Sequence, residues 1–184
     1  MRIIAGTARS LPLKTLPGTD TRPTQDKIKE TLFNILQNDV PGCEFLDLFA
    51  GSGAIALEAV SRGAAHAVLV ENSHRAAACI KENIAFTKFQ DFCELMVMDA
   101  SAAIRRMEHR RVFDIVYLDP PYGKGLENNV LTVLGTSSVI HADTILVVET
   151  SLQTDVSSYE SETFEIYRQK IYKTNQHIFL RKSV

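Results

Sequence analysis

The pattern of apolar and polar positions changes period several times along the chain. Residues 1–22 alternate weakly between apolar and polar and contain Gly6, Pro12, Pro17 and Gly18, which predicts a short β-hairpin or extended arm. At "RPTQDKIKETLFNIL" the period becomes helical. Ile28, Leu32, Ile35 and Leu36 share one face, with Thr24 as a candidate N-cap and Asp26 in the first turn, where the helix dipole favours an acid. That helix is expected to end near Asn38, ahead of Pro41-Gly42.

A regular alternation follows. "EFLDLF" reads as a buried strand and "GAIALEAVSR" as a helix closed by Gly63. "HAVLVE" is a strand, and "SHRAAACIKENIAFTK" a helix capped by Ser73. "CELMVMDA" is a strand, "SAAIRRM" a short helix and "FDIVYLD" a strand. "LENNVLTVLG" is a helix and "TILVVET" a strand. "TFEIYRQKIYK" and "QHIFLRK" read as two strands joined near Asn175. Continuous apolar strands alternating with helices predict a mostly parallel sheet covered on both faces. The closing pair adds an antiparallel edge. The expected architecture is an arm over residues 1–22 and one α/β, Rossmann-like domain over 23–184.

In such a sheet a ligand sits at the carboxyl ends of the strands. Four successive strands end on or beside an acid: Asp47, Glu71, Asp99 and Asp119. The first runs into "DLFAGSGAIALEA", where Gly51-Ser52-Gly53 and Ala56 fit the loose pattern G-x-G-x-x-G/A between a strand and a helix. Glycines there allow a tight turn and close approach of a ligand to the backbone. No Lys or Arg lies between 45 and 61, and a carboxylate at Asp47 would repel a pyrophosphate. It suits S-adenosylmethionine (SAM), whose amino group and sulfonium are cationic. The helix N-terminus beyond Gly53 can still receive the cofactor's carboxylate. Glu71, twenty residues after Gly51, is placed for the ribose hydroxyls. Asp99 is placed for the adenine amine, with the Ala100 amide near a ring nitrogen. Phe49, Ser52 and Asn72 complete the candidate cofactor set.

The strand ending at Asp119 stops on Asp119-Pro120-Pro121-Tyr122. Prolines fix φ and lack an N–H, so this loop is stiff. An exocyclic purine amine is a poor nucleophile because its lone pair is delocalised into the ring. The Asp119 carboxylate and the Pro120 carbonyl are two acceptors for its N–H groups, turning the lone pair toward a methyl donor. Tyr122 offers a flat face for a base taken out of its helix.

The chain has 184 residues, 45% hydrophobic and 23% charged, which fits one ordinary domain. No run approaches about 18 apolar residues, and the N-terminus lacks the apolar core of a signal peptide, so a cytoplasmic protein with no membrane span is expected. Three cysteines without CxxC spacing and five histidines without HxxxH or HExxH spacing favour reduced thiols and no metal site. Net charge is −2 but is uneven. Residues 1–30 hold six Lys and Arg against three acids, and residues 163–184 hold five against one. Basic ends around an acidic centre suit a polyanion at one face.

The order of motifs resembles the class I SAM-dependent methyltransferases that act on amino groups. Over nearly the whole chain, "MRIIAGTARSLPLKT", "TRPTQDKIKETLFNIL", "FLDLFAGSGAIALEAVSRGA" and "DIVYLDPPYGKG" are similar to the RsmD family, bacterial methylases of a guanine N2 in 16S ribosomal RNA. The resemblance implies a small-subunit RNA substrate, bare or within a 30S particle, with Arg22, Pro23 and Thr24 bordering the cleft. Arg2, Arg9, Lys14, Arg22 and Thr24 are the candidate RNA contacts. Where the family's first hairpin usually carries G-x-x-K-G-R-x-L, this chain reads "GTARSLPLK" and keeps only Arg9 and Lys14. Modest affinity for isolated RNA, and better activity on a protein-bearing small-subunit particle, are therefore expected. Two other functions compete, besides a cofactor-binding module without catalysis. An adenine-N6 methylase would use DPPY equally well, although no separate DNA-recognition domain is evident. An NAD-dependent oxidoreductase would need a hydride-transfer site, and the chain has no Tyr-x-x-x-Lys pair.

Overall fold

A computed structural model of the chain describes residues 1–16 and 23–183, apart from the side chains of Pro23 and Thr24. Arg22 and the side chain of Thr24 lie outside the described residues. Helix α1 spans Pro23–Ile35. It starts on a proline, whose fixed φ suits a first helical turn, so Thr24 lies within the helix rather than capping it. It also ends earlier than its apolar spacing predicts, because the chain turns back through Val40 onto Leu36 and so buries both.

The remaining elements alternate as expected: β1 Glu44–Asp47, α2 Ala54–Ser61, β2 His66–Val70, α3 His74–Thr87, β3 Cys93–Met96, α4 Ala100–Met107, β4 Phe113–Leu118, α5 Leu126–Gly135, β5 Ile140–Ser151, β6 Phe164–Ile171 and β7 Asn175–Lys182. The seven strands form one sheet in the order β3-β2-β1-β4-β5-β7-β6. β1 to β5 are parallel and β7 runs antiparallel to both its neighbours. The last strand is thus inserted between β5 and β6, and β6 is the edge.

Successive side chains on a strand face opposite ways, and the two cores divide on that rule. Phe45, Ala67, Leu69, Ile115, Val147 and Phe179 pack with α1, α2 and α3. Leu46, Val68, Val116, Leu146, Ile178 and Leu180 pack with α4 and α5. β3 is shorter than the apolar run predicts. Asp99 leaves the strand and caps α4, its side chain accepting from the Ala102 amide at 3.1 Å.

The N-terminal segment folds as a minimal antiparallel pair. The Ile3 amide donates to Leu11 O at 3.0 Å, Ser10 N to Ile3 O at 2.8 Å and Leu13 N to Met1 O at 3.0 Å. Ile3, Ala8 and Leu13 are buried against the α1–α3 core. Glu58, fully buried on α2, accepts from the Ile4 and Ala5 amides at 2.7 and 3.1 Å. It also meets Arg62 at 2.7 Å and Lys29 at 3.2 Å. Gly6 has φ 80° and lies against the end of α2, where a Cβ would sit 1.7 Å from Ser61 O, so only glycine fits.

No helix among the described residues is long and apolar enough to cross a membrane. Burial pushes the Cys43 and Cys93 thiols up to about 12, so both stay protonated and inert at neutral pH.

Candidate active site

The glycine loop leaves β1 and enters α2 across the carboxyl end of the sheet. The Ala50 amide donates to Val70 O at 3.0 Å and the Gly53 amide to Ala50 O at 2.6 Å. Gly53 has φ 80°, and a Cβ there would come within 3.0 Å of Leu69 Cδ2. A Cβ at Gly51, also left-handed at φ 56°, would meet nothing within 4 Å, so open space lies over the loop. Buried Asn83 of α3 ties the loop to the arm, its Nδ2 donating to Ser52 O and Lys14 O at 2.9 Å each.

Two cavities flank this loop and share Phe49. The larger, about 740 Å³, has Asp47, Gly51, Ser52, Tyr117, Asp119, Tyr122 and Glu149 in its wall. Met1, Thr15 and Leu16 of the arm, Gln25, Ile28 and Lys29 of α1, and Lys173 to Asn175 of the β6–β7 turn enclose it further. The smaller, about 180 Å³, is lined by Leu48, Glu71, Asn72, Met98, Asp99, Ala100 and Ser101, with Leu126, Asn129 and Val130 of α5.

The candidate residues thus divide. Asp47, Phe49, Gly51 and Ser52 line the large cavity together with Asp119 and Tyr122, while Glu71, Asn72, Asp99 and Ala100 line the small one. Gly53, Pro120 and Pro121 line neither. Arg2, Arg9 and Lys14 are exposed but also line neither cavity. Arg2 lies 3.3 Å from Asp26, and Lys14 is paired with Glu82 at 2.5 Å.

The site is strongly acidic. Asp47 is buried, and among the described residues neither of its oxygens has a hydrogen-bond partner of ordinary geometry. Burial raises its carboxyl to about 7, helped by the nearby Glu71 charge and opposed by the amides of Phe49 and Ala56. Asp119 is raised too, first by desolvation of its carboxyl and then by the charges of Glu149 and Asp47. Water still reaches Asp119 through the open cavity, which weakens that desolvation and leaves like-charge repulsion as the firmer cause.

Glu149, in β5 beside Asp119, has no counterpart among the residues picked out from the sequence. Its Oε2 accepts from the Tyr117 hydroxyl at 2.5 Å and lies 2.9 Å from His177 Nε2. Its Oε1 accepts from Asn175 Nδ2 at 2.5 Å and from the Tyr122 hydroxyl at 3.3 Å. Burial disfavours its charge, yet the bonds from His177, Tyr117 and Asn175 prevail and hold its carboxyl below the usual range. The signal for Glu149 was present in "TILVVET", a fifth strand with an acid near its end.

A cationic ligand fits this arrangement. The buried Asp47 carboxylate, met only loosely by the Phe49 and Ala56 amides, attracts it, and the space over Gly51 admits it. Glu71 accepts from the Gly51 amide at 2.9 Å and the Ser73 amide at 2.8 Å, and its remaining lone pairs can meet ribose hydroxyls. A pyrophosphate would instead face Asp47, Asp119 and Glu149.

Residues 1–181 match the family described as Conserved hypothetical protein 95. The chain is 32% identical over 181 residues to "Putative rRNA methyltransferase YlbH" of Bacillus subtilis, covering 94% of this chain and 98% of that one. It is 31% identical over 173 residues to "Ribosomal RNA small subunit methyltransferase D" of Escherichia coli K12, covering 93% and 84%. The solved structure "Putative methyltransferase yhhF from Escherichia coli" superposes with a TM-score of 0.85 at 28% identity, covering 100% of this chain and 98% of that one. The sheet order, the glycine loop and these similarities agree with the Rossmann-like class I methyltransferase fold. The chain belongs to the RsmD family of methyltransferases.

Proposed function

We propose that this protein methylates the exocyclic N2 amine of a guanine in small-subunit ribosomal RNA, with SAM as the methyl donor. The observation that carries the reading is one cavity that joins Asp47, a buried carboxylate without a hydrogen bond of ordinary geometry among the described residues, to the Asp119 and Tyr122 of the DPPY loop. Relatives named ribosomal RNA small subunit methyltransferase D support the RNA substrate.

SAM, when bound, supplies an electrophilic methyl group on a positively charged sulfur. Asp47 would face its cationic amino-acid end. Gly51 and Ser52 would border it, and Glu71, Asn72, Asp99 and Ala100 would hold its nucleoside. Positive charge in the large cavity also relieves the repulsion among Asp47, Asp119 and Glu149, and so favours the ionised forms. Ionised Asp119 accepts from the target amine; Pro120, whose carbonyl the sequence offered as a second acceptor, is in the wall of neither cavity. Asp119 orients the lone pair and stabilises the positive charge that grows on nitrogen. Tyr122, exposed at the cavity edge, stacks on the flipped base.

The arm over residues 1–22 serves the RNA, in a cytoplasmic protein acting on bare RNA or a 30S particle. Nucleoside mass spectrometry of small-subunit RNA from cells lacking the gene tests the reading. One N2-methylguanosine should disappear. Intact N2-methylguanosine at every site, or a missing N6-methyladenosine instead, rejects it.

A further inference from the structure

Asn175 opens β7 and lines the large cavity with Asp119 and Tyr122. It is only 6% exposed. Its Nδ2 donates to Glu149 Oε1 at 2.5 Å, while its Oδ1 is buried without a hydrogen-bond partner among the described residues. A buried orphan acceptor is rare in a native protein and calls for a reason. Turning the amide over would not relieve it, because Oδ1 would then face a carboxylate. Glu149 thus fixes which end of Asn175 is the acceptor.

Glu149 is itself held firmly. Tyr117 and His177 occupy its other oxygen, and the Tyr172 hydroxyl lies 3.0 Å from His177 Nδ1. The loosest bond in the network is the one from Tyr122, at 3.3 Å and on a 45% exposed side chain. Tyr122, whose hydroxyl also borders the Asn175 side chain, can leave Glu149 at small cost when a base arrives, and Asn175 lines the cavity that the base enters.

The two candidate bases differ next to the reacting amine. In guanine the N2 amine is flanked by N1–H, a donor, and N3, an acceptor. In adenine the N6 amine is flanked by N1 and N7, both acceptors. An acceptor beside the amine clamp completes a hydrogen bond with guanine and opposes a second acceptor with adenine. Unpaired polar groups of this kind make a hydrogen-bonding site selective.

We infer that Asn175 selects the base: its Oδ1, oriented by Glu149, accepts from guanine N1–H while Asp119 holds the N2 amine. This rests on the guanine reading above and adds the residue that enforces it.

The test replaces the target guanosine by 2-aminopurine riboside, which keeps the 2-amino group but presents a bare acceptor at N1. The methylated position is first mapped by mass spectrometry. Each base is then built into 16S RNA assembled into small-subunit particles. Wild type should prefer guanosine by about 10- to 100-fold in kcat/KM, the scale of one unpaired buried group. Asn175→Ala should lower turnover of guanosine and bring the preference within about threefold, with SAM affinity unchanged by calorimetry. Glu149→Gln, which frees the Asn175 amide to turn over, should also narrow the preference, and it decides the matter if Asn175→Ala does not fold. A wild type without preference, or variants that keep the full preference, would overturn the assignment. An N6-methyladenosine product would instead overturn the guanine reading itself, and this inference with it.

Discussion

Gly51 and Glu71 stand twenty residues apart in sequence, and the Gly51 amide donates to Glu71 Oε2 at 2.9 Å. The other oxygen accepts from the Ser73 amide. One side chain therefore braces the glycine loop and the entry to α3. A Glu71→Gln side chain has one acceptor oxygen, so one of these amides loses its partner. The ligand-free variant should lose about 1.5–3 kcal/mol, the scale of a broken hydrogen bond to a charged group, as read by urea denaturation. Its SAM affinity, measured by calorimetry, should fall further.

In the proposed reaction Asp119 would act on the amine and Tyr122 on the base. Asp119→Ala should reduce turnover at least ~100-fold, on the scale of removing one transition-state acceptor, with little change in SAM affinity. Near-normal turnover would remove Asp119 from the mechanism. Tyr122→Ala should weaken RNA capture by about 1–3 kcal/mol, the typical worth of one stacking platform. Tyr122→Phe keeps the ring and gives up only the long bond to Glu149, so it should be mild. Single-turnover kinetics across RNA concentrations separate these two effects.

Much of this site was legible because its residues follow from strand ends and glycines. A parallel strand must stop where its helix connection begins, so the acids that end "FLD", "VLVE" and "VYLD" fall at the carboxyl edge of the sheet without knowledge of tertiary contacts. Asp99 was the exception in detail, since it spends one oxygen capping α4. Neighbours in the sheet were less legible. An alternating pattern fixes which face a residue takes but not which strand lies beside it, and the insertion of β7 between β5 and β6 left no local mark. That insertion brings Asn175 and His177 to Glu149. Their chemistry depends on contacts formed across 26 and 28 residues, which no spacing rule reaches. The partners of the arm's cations were equally out of reach of the sequence, because the acids that pair with Arg2 and Lys14 lie on α1 and α3.

Asp47 should give cofactor binding a definite pH dependence. Its carboxyl titrates near 7 in the free protein, against about 3.9 in an unfolded chain. Between those values the unfolded chain releases a proton that the folded protein keeps. The ligand-free protein should therefore lose stability as pH rises from about 4 to 7 and level off above. Asp47→Asn lacks that titration, so its melting temperature should gain on wild type across the same window. SAM binding should run the opposite way. A cation favours ionised Asp47, so affinity should rise by up to about tenfold per pH unit below 7 and flatten above. Calorimetry in buffers of different ionisation enthalpy should register proton release in the acid range.

The arm's attachment rests on Glu58. Its carboxylate holds two arm amides, Arg62 and Lys29, and Lys29 in turn donates to Arg2 O at 2.6 Å. Burial lowers the Lys29 ammonium's pKa while Glu58 opposes that shift, so removing the carboxylate leaves a cation buried without its counter-charge. Glu58→Ala should cost about 3–5 kcal/mol, seen as a lower urea midpoint. Hydrogen exchange should show the Ile4 and Ala5 amides losing protection.

Cations near the cavity should matter to RNA more than the most basic-looking part of the arm. Lys173, at the β6–β7 turn, is exposed, lines the large cavity and has no carboxylate partner among the described residues. Arg168 and Lys170 continue along β6, also exposed and without such a partner among the described residues. Lys14 already spends its charge on Glu82. Each lysine that neutralises a phosphate releases counterions and steepens the fall of affinity with salt. Lys173→Ala should weaken RNA binding and reduce the slope of log K against log salt by about 0.7–0.9, one phosphate's share. Lys14→Ala should change the slope much less, since it removes a charge that an acid has already met, and Arg9→Ala, with no such partner among the described residues, should fall nearer Lys173→Ala. Filter binding of labelled small-subunit RNA across a salt series measures all three. Equal slopes for wild type and Lys173→Ala would place the phosphate path elsewhere, and a large change for Lys14→Ala alone would return it to the arm.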